Sequence, residues 1–310
     1  MDDDRPSPPS GISGTPGISG TPGTPKTHHL HLDGGTLAYD VAGTGPLMVL
    51  AHGMGDGRAA YRAVTPVLVA AGYRVATVDL RGCGESSAHW PEWSRTALAG
   101  DLIALIRHLG GGPAVLVGHS ISGGAATIAA AREPALVSAV VELAPFTRAQ
   151  SVRPGDLRVR RFRRGMLRLL GAGLFGSARL WRSYLEVAYP GVRPDDWGRR
   201  LDRIDALLRE PGRMAALRGM GRSDPADAGA RLGAVRAPVL VVMGTADPDW
   251  ADPGAEGAAI VAALPSGLGR LELIEGAGHY PHDQYPERVA ELILAFVREE
   301  RPPGGDVSIL

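Results

Sequence analysis

Residues 114–124, AVLVGHSISGG, decide the fold, because they place a serine where a buried strand turns abruptly into a helix. The apolar run at 114–117 predicts a short strand, and the small residues around Ser120 predict a sharp turn into an Ala-rich helix. Such a turn exposes the serine hydroxyl only if the positions two before and two after it are small. Those positions are Gly118 and Ser122, which makes Ser120 a candidate nucleophile. The alternative is that Ser120 only caps the helix.

The composition limits the class of protein. The chain has 310 residues, enough for one large domain or for a core domain with an insertion. Its 33 basic and 33 acidic residues balance, which favours neither nucleic acid nor an anionic membrane as the main partner. The single cysteine, Cys83, excludes an intrachain disulfide and is typical of a reducing compartment. Neither a signal-peptide pattern nor a membrane span is found in the sequence, so we expect a cytoplasmic protein.

Both ends of the chain are expected to be flexible. Residues 1–26 contain the repeat GISGTPGISGTPGTP, whose few large side chains bury too little surface to offset the entropy of ordering. Residues 303–310 are expected to fray. His28, His29 and His31 follow the first tail, but three histidines beside a flexible segment do not by themselves indicate a metal site, and we expect none.

Between these ends, short apolar runs alternate with amphipathic segments, which is typical of a parallel sheet covered by helices. The predicted strands are 29–32, 36–41, 47–51, 74–78, 114–117, 137–143, 238–243 and 270–274. The predicted helices outside the turn are 59–71, 94–108, 255–263 and 286–300. The alternation stops after Pro145 and resumes near Arg236. We therefore predict a core domain of residues 27–145 and 236–302, with residues 146–235 inserted as a helical cap over the carboxyl edge of the sheet.

Two loops after the last predicted strands carry groups that could activate a serine. The loop GTADP contains Asp247, and the loop GAGHYP contains His279. A serine hydroxyl needs a base within hydrogen-bond reach and a third group that fixes the tautomer of that base. Both loops leave the carboxyl ends of strands, the edge at which Ser120 lies. Asp249, two residues beyond Asp247, is the alternative carboxylate.

With serine, aspartate and histidine in this order, the chain resembles the α/β-hydrolase-fold superfamily from about residue 29 to residue 300. The resemblance implies an α/β fold with a mostly parallel central sheet flanked by helices. It implies that Ser120 is the nucleophile, that His279 is the general base and then the general acid, and that Asp247 orients His279. It also implies an oxyanion hole made by the backbone N–H groups of Ile121 and Met54.

Other residues near these motifs have structural interpretations. The pair His52-Gly53 matches the family's HG pair, and His52 is expected to brace its loop. The stretch DLRGCGES resembles the family's DxRGxGxS loop, in which Arg81 would tie loops together and Cys83 would be an inert packed residue. The pair His282-Asp283 has a metal-like spacing from His279, but we interpret it as a surface pair.

The serine also indicates the reaction. Relatives that dehalogenate or open epoxides use an aspartate at this position, so Ser120 implies acyl transfer and then hydrolysis of a small-molecule ester or thioester. This chemistry needs no cofactor, and no phosphate-binding loop or GxGxxG motif follows the first strand. Three alternatives stay open: haloperoxidase-like perhydrolysis without a cofactor, C–C bond hydrolysis on the same triad, and a non-catalytic ligand-binding protein.

The first part of the predicted cap is basic. Its arginines are Arg158, Arg160, Arg161, Arg163, Arg164 and Arg168. The apolar residues among them are Met166, Leu167, Leu169, Leu170 and Leu174. This pattern predicts an amphipathic helix with a solvated basic face over a buried apolar stripe. The alternative is a docking site for an anionic carrier or an acyl-thioester head group.

Overall fold

In a computed structural model of the chain, eight strands form a single sheet in the order β1-β2-β4-β3-β5-β6-β7-β8. The strands are β1 (His28–Leu32), β2 (Gly35–Ala42), β3 (Leu47–Ala51), β4 (Arg74–Val78), β5 (Ala114–His119), β6 (Val137–Leu143), β7 (Val239–Gly244) and β8 (Gly269–Ile274). The six strands from β3 to β8 pair in parallel, and β2 pairs antiparallel with both β1 and β4. The predicted mostly parallel sheet is confirmed.

The structure describes residues 26–110 and 112–300. The predicted tail at 1–26, apart from Lys26, and the predicted C-terminal tail at 303–310 lie outside the described residues. Within the described residues, no helix combines the length and the apolar character that crossing a bilayer requires.

Helices cover both faces of the sheet. They are α1 (Val64–Ala70), α2 (Arg95–Leu109), α3 (Ile121–Arg132), α4 (Arg160–Phe175), α5 (Ala178–Ala188), α6 (Trp197–Arg209), α7 (Arg213–Arg222), α8 (Ala226–Gly229), α9 (Pro253–Ala263), α10 (Pro281–Gln284) and α11 (Pro286–Glu299). One apolar core lies between the sheet and α2, α3 and α9, and a second lies between the sheet and α1 and α11. In β5, Leu116 belongs to the first core, whereas Val115 and Val117 belong to the second. Burial on both faces explains why this strand is a continuous apolar run.

The predicted helix at 59–71 is interrupted. A 3-10 turn at Arg58–Tyr61 precedes α1, which begins only at Val64. The interruption places Tyr61 inside the second core, where its hydroxyl donates a hydrogen bond to the carbonyl of Ala51 at 2.9 Å.

The helical segment (residues 146–235) connects β6 to β7 and contains α4 to α8, and no strand forms in it within the described residues. Aromatic and aliphatic side chains of α5, α6 and α7 form a third apolar core together with Tyr280. The helical character of this segment agrees with the sequence, whereas its role as a cap stays a prediction.

The predicted buried stripe on α4 is wrong for three of its leucines. Leu167, Leu170 and Leu174 are 60%, 61% and 71% exposed. The buried side of the helix consists instead of Phe162, Gly165 and Ala172. One cause is a close approach: a Cβ at Gly165 would lie 2.7 Å from the carbonyl oxygen of Pro248, so no leucine fits at that inward position.

The turn between β5 and α3 is as tight as the sequence indicates. A Cβ on Gly118 would lie 2.2 Å from the backbone oxygen of Ser122, a separation that real Cβ atoms do not show. The Ser120 N–H donates to Leu143 O at 3.0 Å, and Ser120 O accepts from the N–H groups of Gly123 at 3.0 Å and Phe146 at 3.1 Å. The obstacle at Gly118 is backbone held by these bonds, so a flexible side chain cannot relieve it.

We expect Gly118→Ala to lower the free energy of unfolding by about 1–3 kcal/mol, the usual cost of overpacking a rigid site. The matched control is Gly100→Ala in the interior of α2, where a Cβ meets no atom within 4 Å. Because alanine favours a helix over glycine, that change should stabilise the protein by about 0.5–1 kcal/mol. Urea unfolding midpoints measure both effects. If Gly118→Ala is as stable as the parent, the turn is not the constraint described.

Candidate active site

Ser120 occupies a strained backbone position at the start of α3. Its φ of 55° lies in the left-handed region, which residues other than glycine rarely adopt and which often marks functional sites. Its side chain makes no capping hydrogen bond, so the capping interpretation is wrong. The strain is maintained by the backbone bonds of the turn, and the hydroxyl is not used to hold the helix.

His279 lies beside two carboxylates. Its Nδ1 atom is 2.9 Å from Asp247 Oδ2 and 3.3 Å from Asp249 Oδ2. Asp247 Oδ1 also accepts the backbone N–H of Asp249 at 2.9 Å. Burial opposes a charge on the imidazole, but the two carboxylates and the hydrogen bond to Asp247 outweigh it and raise the pKa of His279 to about 9. The geometry fixes the tautomer, because Nδ1 must carry the proton that Asp247 accepts.

Asp249 is held from the other side by the helical segment. The Tyr184 hydroxyl, on α5, donates to Asp249 Oδ2 at 2.6 Å. Burial raises the pKa of the Asp249 carboxyl to about 6. Tyr184 is missing from the sequence predictions, since no pattern in a helix indicates which distant loop one hydroxyl will reach.

Ser120 and His279 share neighbours at one rim of the sheet. His119, next to the serine, donates from Nε2 to the carbonyl of His279 at 2.7 Å. Phe146 donates its N–H to Ser120 O, and its ring packs edge-on against His279 with centroids 5.8 Å apart. Both Ser120 and His279 are buried, each 3% exposed, so the predicted exposure of the serine hydroxyl is wrong. No hydrogen bond joins the Ser120 hydroxyl directly to the His279 ring in the described part of the chain.

The loop after β3 is braced as expected. His52 donates from Nδ1 to Gly53 O at 2.6 Å, and its Nε2 accepts the N–H of Leu80 at 3.1 Å, so both ring nitrogens are bonded and the ring is fixed. The Ser122 hydroxyl donates to His52 O at 2.6 Å. A Cβ at Gly53 would lie 2.7 Å from His119 Nδ1 and 3.1 Å from Ser120 Cβ. The loop therefore lies directly against the serine, and Ser122 bonds to it from the position where the family motif has glycine.

The two predicted oxyanion-hole residues flank this contact. Met54 follows Gly53 in the braced loop, and Ile121 is the first residue of α3. Neither backbone N–H has an acceptor among the described residues. Two unpaired N–H groups beside Ser120 suit a developing negative charge.

The loop after β4 has the structural role that the resemblance implies. Arg81 forms a two-bond pair with Asp101, with both N–O distances 2.7 Å, and donates to Glu92 O at 2.8 Å. Its guanidinium also lies 4.5 Å from the ring centre of Trp90. Cys83 is buried in the same loop, and burial raises the pKa of its thiol to about 12, which is typical of an unreactive packed cysteine.

The surface interpretation of His282 and Asp283 is wrong, since both are buried in α10. Asp283 accepts hydrogen bonds from Arg62 at 2.5 Å and from the Tyr189 hydroxyl at 2.7 Å, and pairs with Arg200 at 3.1 Å. The polar sequence around this pair suggested exposure. The helical segment covers it, and the sequence does not show that contact.

The helical segment is also bonded to the histidine loop. The His279 N–H donates to Ala188 O at 2.9 Å, at the end of α5. A Cβ at Gly278 would lie 2.2 Å from the same carbonyl oxygen, so the glycine permits the contact. Gln284 donates to the carbonyls of Pro190 and Val192, each at 2.8 Å. This side of the segment is fixed to the loop that carries His279.

One set of side chains in the described residues is compact enough to share an ion. Ligand atoms of Asp247, Asp249 and His279 lie within 4.8 Å of one another. The His279 Nδ1 proton already bonds to Asp247, so an ion would have to displace it. The histidines of β1 do not converge: His31 contacts the Thr36 hydroxyl at 3.0 Å, and His28 stacks on Tyr39. The absence of a resident metal stays a prediction.

A groove of about 830 Å³ lies outside this site, between α1, the β2 side of the sheet and α6. Its charged rim is largely self-paired, because Arg58 bonds to Asp40 and Glu85, both at 2.7 Å. None of the predicted site residues lines it.

The chain matches a model of the alpha/beta hydrolase family over residues 48–292. It is 28% identical to the 2-(acetamidomethylene)succinate hydrolase of Mesorhizobium japonicum over 276 residues, which cover 84% of this chain and 91% of that protein. It is 32% identical to a candidate non-heme bromoperoxidase of Mycobacterium tuberculosis over 271 residues, covering 84% and 97%. A thermophilic esterase from Thermogutta terrifontis, solved with malate bound, superposes with a TM-score of 0.67 at 26% identity, covering 89% of this chain and all of that one.

The pKa of His279 should depend on both carboxylates. Asp247→Asn removes a negative charge and leaves one acceptor oxygen for two donors, the His279 ring and the Asp249 N–H, whereas Asp249→Asn removes a charge farther from the ring. Both changes should lower the pKa of His279, and Asp247→Asn should lower it more. NMR titration of the histidine ring resonances measures this, with exposed His31 as the internal control. A larger fall in Asp249→Asn would make Asp249 the main partner.

Proposed function

Since the chain belongs to the alpha/beta hydrolase family, we propose that it is a serine hydrolase that cleaves a carboxylic ester or thioester through an acyl-enzyme on Ser120. The observation that carries the proposal is the pairing of His279 Nδ1 with Asp247 at one rim of the sheet, next to a serine on a strained turn. The similarity to an esterase supports the same chemistry.

The proposed reaction begins with proton transfer. His279 Nε2 accepts the Ser120 hydroxyl proton while the serine oxygen attacks the acyl carbon, and Asp247 stabilises the imidazolium that forms. The same proton passes to the leaving alcohol or thiol, and the acyl group stays on Ser120. Water then gives a proton to Nε2 and attacks the ester, which releases the acid and restores the hydroxyl. Catalytic hydrogen bonds are often long without substrate, so Ser120 and His279 need bond only in the complex.

The oxyanion of each tetrahedral intermediate would be bound by the N–H groups of Met54 and Ile121. Both lack an acceptor among the described residues, and the loop of Met54 is bonded to the turn through Ser122 and His52. Donors that are already oriented need no reorganisation when the charge develops, and this preorganisation is their main catalytic advantage.

We propose that the helical segment, residues 146–235, serves as the cap of a core formed by residues 27–145 and 236–302. Tyr184 and Ala188 of this segment contact the aspartate and histidine loops. Gly55, in the loop of Met54, would place a Cβ 2.4 Å from Leu217 and 2.9 Å from Trp181, both in the same segment. These contacts bring the segment next to all three loops of the site, and its side chains would select the substrate there.

A second candidate is perhydrolysis, favoured by the 32% identity to the candidate bromoperoxidase. Hydrogen peroxide would replace water in the second step, attack the acyl group on Ser120 and leave as a peracid. Peroxide-dependent bromination in an acetate buffer tests this reaction, and ester hydrolysis in the same preparation gives the ratio of the two activities.

Ser120→Ala should reduce ester hydrolysis by on the order of 10⁶-fold, as removal of a triad serine does elsewhere. Chromogenic short-chain esters and thioesters of graded length provide the assay, and a fluorophosphonate should label the parent chain but not the variant. The variant should keep the parent's unfolding midpoint. A parent chain that neither turns over these substrates nor is labelled would favour the ligand-binding alternative.

Asp247→Asn should reduce kcat by roughly 10⁴-fold, whereas Asp249→Asn should leave most of the activity. The pKa of His279 is raised, and its neutral form is the base, so the rate should rise with pH up to the alkaline side of the ordinary histidine value. Asp249→Asn removes a charge that favours the protonated His279 ring, so the rise of the rate with pH should occur at lower pH. Profiles of kcat/KM against pH for the parent and for Asp249→Asn measure this shift. A collapse of activity in Asp249→Asn would assign the carboxylate role to Asp249.

A further inference from the structure

The outward face of α4 carries a contiguous row of large apolar side chains. Leu167, Leu170, Leu174 and Phe175 are 60%, 61%, 71% and 72% exposed. Their spacing of three, four and one residues places them on one side of the helix over its last two turns. Single exposed leucines are ordinary, but four such side chains together usually mark an interaction surface.

The first turns of the same face are basic. Arg160, Arg163 and Arg164 are exposed there, one turn before Leu167. Residues 151–175 contain seven arginines and a single acidic residue, Asp156. Asp156 accepts the backbone N–H of Arg153, and within the described residues neither Arg160 nor Arg164 has an acidic partner. These charges are therefore available to an anionic partner.

Arginines also follow the apolar row. Arg218, on α7, donates to the carbonyl of Gly173 at 2.9 Å and so lies beside the end of α4, and Arg179 is exposed in the first turn of α5. The apolar row is thus bordered by basic side chains at both ends. A rise of 1.5 Å per residue puts Leu174 about 15 Å beyond Arg164 along the axis.

We propose that the outward face of α4 docks on an anionic lipid surface. An interfacial helix buries its apolar side chains about 5–10 Å into the boundary between head groups and acyl chains, while its basic residues bind the phosphates. The leucines and Phe175 would enter this boundary, and Arg160, Arg163 and Arg164 would bind head groups. The balanced charge of the whole chain does not oppose this, because attraction falls off within a Debye length of the surface and depends on local charge.

A second copy of this chain fits the surface less well. Two α4 faces brought together would bury arginines from both copies with only Asp156 from each to neutralise them. Burying unpaired charges costs several kcal/mol per ion, which the apolar contact would have to offset. An anionic lipid surface supplies apolar chains and negative charge together.

The inner side of α4 connects this surface to the candidate site. Gly165 lies against Pro248, and Arg161 donates to Ala251 O at 2.8 Å, both in the loop that carries Asp247 and Asp249. A docked α4 would hold that loop near the lipid. The next step, and only that step, rests on the proposed function. The substrates would include esters that partition into lipid.

The docking test uses the full chain and two kinds of vesicle, phosphatidylglycerol mixed with phosphatidylcholine, and phosphatidylcholine alone. We expect the parent chain to co-sediment with the anionic vesicles, and raised salt to weaken this binding. The double variant Arg160→Glu with Arg164→Glu should bind at least on the order of 30-fold more weakly, since each basic residue near such a surface contributes about 1 kcal/mol. The double variant Leu170→Ser with Leu174→Ser should also lose binding.

Matched controls lie away from this face. Leu273→Ser removes an apolar side chain that is 49% exposed on β8, and Arg288→Glu reverses an exposed charge on α11, so both should bind as the parent does. Thermal unfolding checks that each variant is folded. If the double leucine variant does not fold, the double arginine variant still tests the proposal.

Three outcomes would overturn the docking proposal: no binding of the parent to anionic vesicles, binding unchanged in the arginine pair, or a parent dimer that the leucine pair converts to a monomer. Hydrolysis of a water-soluble ester, measured without vesicles, separates the two proposals. Binding without hydrolysis would leave the surface standing and remove the proposed function. Hydrolysis without binding would do the reverse.

Discussion

The close approach of backbone to backbone at the serine turn is the constraint on which the site depends. Because Gly118 has no side chain, the carbonyl of Ser122 can pass within van der Waals distance, and Ser120 is forced to a φ of 55°. The same compactness lets Gly53 touch the serine and lets Ser122 bond to His52 O. One tight turn thus positions the hydroxyl, one candidate oxyanion donor and the loop that carries the other.

The second constraint is electrostatic, because charges removed from water need partners. Asp247 and Asp249 share the His279 ring, while Asp283 is balanced by Arg62 and Arg200. Each group of partners joins segments far apart in sequence, and removing one partner would leave another charge buried and uncompensated. The helical segment supplies Tyr184 to the first group and Arg200 to the second. It is therefore part of the site's electrostatics.

The sequence predicts features that depend on neighbouring residues, and it misses features that depend on contacts between distant parts of the chain. Strands β3, β4 and β6 begin and end at the predicted residues, because burial on both faces leaves a largely local signal. The loops of Asp247 and His279 are predictable from the rule that parallel strands end at one edge of a sheet. Tyr184 and the burial of Asp283 are not, since both depend on how the helical segment lies on the core. The spacing of apolar and basic residues predicts a helix such as α4, but it does not determine which side of that helix faces inward.

Helix α4 shows why it matters which side of a helix faces inward. Its buried side consists of Phe162, Gly165 and Ala172, and at Gly165 the carbonyl of Pro248 leaves no room for a side chain. Packing of this helix therefore does not need Leu167, Leu170 or Leu174, which lie in water at a cost in hydration. Replacing them with polar residues would relieve that cost without loss of core contacts. Apolar side chains that folding does not use are best explained by a partner outside the chain, and the arginines beside them indicate that this partner is negatively charged.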